Sequence, residues 1–119
     1  MRSVFAHEAV LRMDAAADLR APGAAITVGL CGHWEHEPPC PLAPHHTEAR
    51  RSDEEVHLRT LFAVEPEREA EVRERIRAAL AVGRLQDANG HDSNWVVRSS
   101  TPAAVRPEEA DHGRRLASS

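Results

Sequence analysis

The most regular pattern of apolar and polar positions begins at Glu65-Pro66, after which Val72, Ile76, Ala79 and Leu80 recur at helical spacing. Proline suits the first turn of a helix, and Glu67, Glu69 and Glu71 suit the positive end of its dipole. Glu69/Arg73 and Glu71/Arg75 are i,i+4 pairs on what reads as the solvent side, and Gly83 supplies the stop. The spacing predicts a helix over 66–82. Just upstream, Val56, Leu58, Thr60, Phe62 and Val64 alternate with His57, Arg59 and Leu61, the period of a half-buried strand.

Three further segments read as extended. Residues 24–34 form an apolar run with β-branched Ile26, Thr27 and Val28 behind a Pro22-Gly23 turn signal, and are taken as a strand. Beyond the Asn89-Gly90 turn, residues 94–99 put Trp95 and Val97 on one face and Val96 on the other. At the N-terminus Phe5, Ala9, Leu11 and Met13 share a strand face, although Val4, Leu11 and Ala15 also suit a helix; the strand reading is adopted. Glu48 to Glu55 reads as a solvated loop.

The resulting order, β-β-β-α-β, implies an α+β fold: a small, mostly antiparallel sheet with a helix packed on one face, an architecture that resembles the ferredoxin-like sandwich. Residues 1–100 are expected to form a single domain that includes a Cys/His/Pro-rich loop at 31–46. Residues 101–119 form a polar tail, either a short helix ahead of Gly113 or a segment without structure. No internal repeat is present.

Composition narrows the chemistry. All fifteen basic residues are Arg, and the chain has no Lys and no Tyr, which removes Schiff-base lysines, phosphate-loop lysines and phenolic acid–base groups. A formal charge of −4 argues against nucleic acid as a partner. No run approaches the roughly 18–20 apolar residues of a membrane helix, and the N-terminus lacks a signal-peptide core, so the reading is cytoplasmic with no membrane partner. Of the apolar residues twenty are Ala, leaving 27 large side chains, a modest core that favours a homodimer or a bound metal as additional support.

The unusual segment is 31–46, where Cys31, His33, His36, Cys40, His45 and His46 place six candidate metal ligands in sixteen residues. Thiolate and imidazole suit Zn²⁺ and similar ions, and donors within one loop lower the entropy of assembling a site. If the upstream strand continues, Cys31, His33 and Glu35 share a face, with Glu35 the natural base for a metal-bound water. Pro38, Pro39, Pro41 and Pro44 then stiffen an extended loop that returns Cys40 and the His45-His46 pair toward the strand end.

Familiar motifs match only in part. His33-Trp34-Glu35 followed by Pro39-Cys40 resembles the zinc-deaminase pattern H-x-E…P-C-x-x-C, but the second Cys position holds Ala43. His36-Glu37-Pro38-Pro39-Cys40 resembles H-E-x-x-H with its last ligand changed, and two prolines forbid the helix that motif needs. Cys40-Pro41 is the dipeptide of haem-regulatory motifs, so haem stands beside zinc and other transition metals as the cofactor. His57 reads as a half-buried strand residue, and His7, His91 and His112 as surface residues.

The leading expectation is a small transition-metal-binding protein, with Glu35 as base if it is an enzyme. The alternative is a metal-free α+β domain that takes a small-molecule substrate, using His33, His57 and Glu35 as acid–base groups and Cys31 or Cys40 as nucleophile.

Overall fold

The computed structural model describes residues 1–31, 43–87 and 89–118. The chain is an α+β structure with the order β1 (Ser3–Met13), α1 (Ala21–Cys31), β2 (His45–Ser52), β3 (Glu55–Val64), α2 (Glu69–Ala81), β4 (Arg84–Gln86), β5 (Asp92–Ala103) and α3 (Ala110–Ala117). Short 3₁₀ turns at Pro66–Arg68 and Pro107–Glu109 lead into α2 and α3. The strands lie in the order β2-β3-β1-β5-β4, and every pairing is antiparallel.

The expected β-β-β-α-β order is therefore corrected: a helix occupies residues 21–31, where a strand was expected, and a strand occupies residues 45–52, where a loop was expected. In α1 the buried positions are Ala21, Pro22, Ala25, Ile26 and Leu30, a helical stripe. Pro22 lacks an N–H but sits in the first turn, where none is needed, and the Asp18 carboxylate accepts the Arg20 backbone N–H just before it. The β-branched residues of this run are overridden by packing, since an unbroken apolar run carries no period of its own. Gly29 lies against α2: a methyl there would stand 3.0 Å from the Ala79 Cβ.

The other elements follow their patterns. Val72, Ile76 and Leu80 of α2 are buried against Val56, Leu58, Phe62 and Val64 of β3 and Leu11 and Met13 of β1. Gly83 stops α2 at a φ of 72°, which glycine adopts without strain, and its carbonyl accepts the Trp95 N–H. Trp95 is buried and its indole donates to the Leu80 carbonyl at 2.8 Å, which ties β5 to the end of α2. Arg73 departs from the amphipathic reading: it pairs with Glu69 as expected, yet it is buried, with its guanidinium over the Phe5 and Phe62 rings.

Helices α1 and α2 cover one face of the sheet, on which Phe5, His7, Ala9 and Leu11 of β1 stand in register with Phe62, Thr60, Leu58 and Val56 of β3. Among the described residues the opposite face is covered only at one end. There α3 lies on Val4, which sits so close to Gly113 that a methyl on that glycine would come within 2.8 Å of it. Beside it, Ala6, Leu61 and Ala63 are buried. Among the described residues no helix is long and apolar enough to cross a membrane.

Candidate functional site

Of the six sequence-predicted ligands, Cys31 is the last residue of α1, and His45 and His46 open β2. His33, His36 and Cys40, with Glu35, lie outside the described residues. The shared strand face that was to bring Cys31 and His33 together does not apply, because the backbone at Cys31 is helical rather than extended.

Alternation along β2 sends the two adjacent histidines to opposite faces of the sheet. His45 turns toward α1. Its Nδ1 lies 3.0 Å from the Ala43 carbonyl, which can only accept, so Nδ1 carries the proton and Nε2 is the basic nitrogen. Nε2 faces the Thr27 hydroxyl at 2.8 Å, and that hydroxyl also stands 3.2 Å from the Gly23 carbonyl. Position 31 is four residues beyond Thr27, one turn along the same side of α1.

His46 faces the other way and packs on His112 of α3, with ring centroids 4.9 Å apart and planes tilted by 54°. His112, read from the sequence as surface, is half-buried, and burial together with the nearby His46 and Arg115 lowers its pKa. One ion cannot take both His45 and His46. Among the described residues no group of three His, Cys, Asp or Glu side chains converges as a metal cage would require.

His7, also read as surface, is 1% exposed. Its Nδ1 accepts from Arg73 at 3.0 Å, so Nε2 must carry the proton, which it donates to the Ser100 Oγ at 2.8 Å. Burial, then the positive charges of Arg73 and Arg77, hold its pKa down to about 4. The His7–Ser100 contact has the separation of a catalytic pair but the wrong tautomer. A histidine that must donate to the serine cannot take the serine's proton, so the pair is structural. The signal that it is buried lay in the alternation of β1, which puts His7 between Phe5 and Ala9 on the apolar face.

No protein-family model and no curated protein matches the chain. The remaining chemistry is on the open face of the sheet, where the register aligns Glu48, Arg59, Glu8 and Thr101 in one row across four strands, and Arg50, His57, Val10 and Ser99 in the next. Arg59 is the hub of the first row. Its side chain is 10% exposed and forms a two-bonded fork with Glu109, both bonds 2.7 Å, while also donating to the Ala104 carbonyl at 2.6 Å and pairing with Glu8 at 3.1 Å. The fork holds the Glu109 carboxyl down to about 2, with the Arg106 N–H donating to the same carboxylate. His57 was expected to be half-buried; it is exposed, and its Nε2 donates to Glu55 at 2.7 Å. Glu8, Glu48, Arg50, His57 and Arg59, with Arg106 from the 104–109 turn, line a groove of about 490 Å³.

Proposed function

We propose that the protein is a small transition-metal-binding protein, with Zn²⁺ the favoured ion, and that the site lies between the C-terminal end of α1 and the start of β2. Cys31 and His45 are the anchors, and His33, His36 and Cys40, which lie outside the described residues, supply the remaining donors. The observation that carries this reading is the state of His45. A ligating histidine commonly gives its second ring N–H to a backbone carbonyl, which fixes the tautomer and leaves the other nitrogen basic; the Nδ1 contact with Ala43 does this for Nε2 on the side of β2 that faces α1. His46, on the opposite face, is left out of the site. If the bound ion keeps a water, Glu35 is the base that activates it.

Elemental analysis and Zn²⁺ titration of protein purified without a histidine tag test the reading. One equivalent is expected, lost on Cys31→Ser, Cys40→Ser or His45→Asn and kept on His46→Asn. Affinity should weaken as pH falls toward 5, since protons compete for thiolate and imidazole. Folded protein with reduced thiols that holds no metal and takes none up would refute it. If the site is catalytic, Glu35→Gln keeps the ion and loses the activity.

The same reading treats the strand order β2-β3-β1-β5, with α1 and α2 on one face, as a ferredoxin-like sandwich to which β4 and α3 are added. It also treats the protein as a cytoplasmic homodimer, supported by the modest number of large apolar side chains.

A further inference from the structure

The open-face groove has a charge arrangement that the metal reading does not use. Four arginines line it, Arg50, Arg51, Arg59 and Arg106, against the two carboxylates of Glu8 and Glu48. Glu8 and Glu109 are both held by Arg59, and Glu48 stands opposite Arg59 in the strand register, so the acids gather around one half-buried guanidinium. Arg50 is then left with no hydrogen bond or ion pair among the described residues. Arg106 reaches only the Glu8 oxygen that Arg59 already holds at 3.1 Å, and does so at 3.7 Å.

Arg50 and Arg106 both line the groove of about 490 Å³ and also a neighbouring cavity of about 320 Å³, so they stand at the wall the two share. Arg106 is not placed there by its own side chain. Its backbone N–H is fixed by the Glu109 carboxylate at 2.8 Å, and the turn before it by the bond from Arg59 to the Ala104 carbonyl. A half-buried ion pair that holds a turn carrying an exposed cation over a groove pre-organises that cation and lowers the ordering cost of binding.

We propose that this groove is a binding site for a small organic anion, a carboxylate or phosphate ester, held between the guanidinium groups of Arg50 and Arg106. Guanidinium groups match both anions through paired N–H donors, and the volume lies within the range of small-molecule sites. The site is separate from the α1–β2 region, because Arg50 faces away from α1 on β2 while His45 faces toward it.

The test is a two-dimensional amide NMR titration of the full chain with two probes, inorganic phosphate and benzoate, at low ionic strength. Saturable shifts are expected at residues of β2 and of the 104–109 turn, with at least one probe half-saturating below about 10 mM. Arg50→Gln and Arg106→Gln should each weaken that binding by about tenfold, the loss of one charge-assisted contact. Arg98→Gln, which removes an exposed arginine of β5 that does not line the groove, should leave it unchanged. Saturation by phosphate alone assigns the phosphate class and by benzoate alone the carboxylate class. Shifts that stay linear for both probes, or an equal loss in all three variants, would overturn the proposal, and neither result bears on whether the protein takes up zinc.

Discussion

Acidification should destabilise this protein through His7. The imidazole is 1% exposed, accepts from Arg73 and donates to Ser100, and its pKa is held at about 4 against an ordinary value of 6.5. In the unfolded chain the ring takes up a proton as pH falls through 6.5, whereas in the folded protein it stays neutral until about 4, so the contribution of His7 to stability declines across that window and levels off below it. The linkage relation puts the loss from this one group at about 2 kcal/mol by pH 5 and about 3 kcal/mol by pH 4. The comparison that isolates it is wild type against His7→Gln, whose amide can accept from Arg73 and donate to Ser100 but cannot titrate. Urea unfolding, followed by tryptophan fluorescence at several pH values from about 7.5 to 4, gives both curves. The variant should start lower, because the amide fits the two partners less well, and then lose about 3 kcal/mol less than wild type on acidification. Parallel curves would show that His7 is not the buried, neutral group described.

Leu58→Ala removes a side chain buried between β3 and the helices and should cost about 2–5 kcal/mol in the same urea assay, whereas a loss near 0.5 kcal/mol would mean that the wrong face of β3 had been assigned to the core. Gly113→Ala should destabilise by about 1–3 kcal/mol, because its methyl would meet Val4 at 2.8 Å, unless α3 lifts from the sheet; amide exchange confined to α3 separates the two results from an unperturbed helix, which would refute the close approach. Sedimentation should show a dimer at high micromolar concentration, and a monomer there removes the homodimer from the proposal.

The elements legible in the sequence were those whose burial is one-sided. The stripe Val72, Ile76 and Leu80 and the alternation Val56, Leu58, Phe62 and Val64 are each set by a single apolar face, so the period survives in the residue types. Residues 24–31 fail that test, since an apolar run is equally compatible with a strand and with a buried helix, and Pro22 can open either. Residues 45–52 fail it in the opposite way. This edge strand is polar on both sides, and of the four residues on its packed face, His45, Thr47, Ala49 and Arg51, Ala49 alone is apolar, so it resembled a loop. At the site, donor density was visible but partnership was not: whether Cys31 stands near His45 depends on α1 packing beside β2, a long-range event that no local spacing records.

The single step of alternation between His45 and His46 is what separates the two chemistries proposed for this chain. A strand presents successive residues to opposite faces, so a histidine pair at its start can serve one site only if the strand has not yet begun there. Here it has begun, since His45 and His46 are in register with Phe62 and Leu61 of β3. His45 is thereby committed to the layer that contains α1 and Cys31, and His46 to the layer that contains α3 and the arginine-lined groove. A metal bound through His45 would lie beneath the sheet and an anion bound by Arg50 above it, and among the described residues β2 is the element they share. His46→Asn, which leaves His45 and Arg50 in place, should affect neither binding constant by more than about twofold.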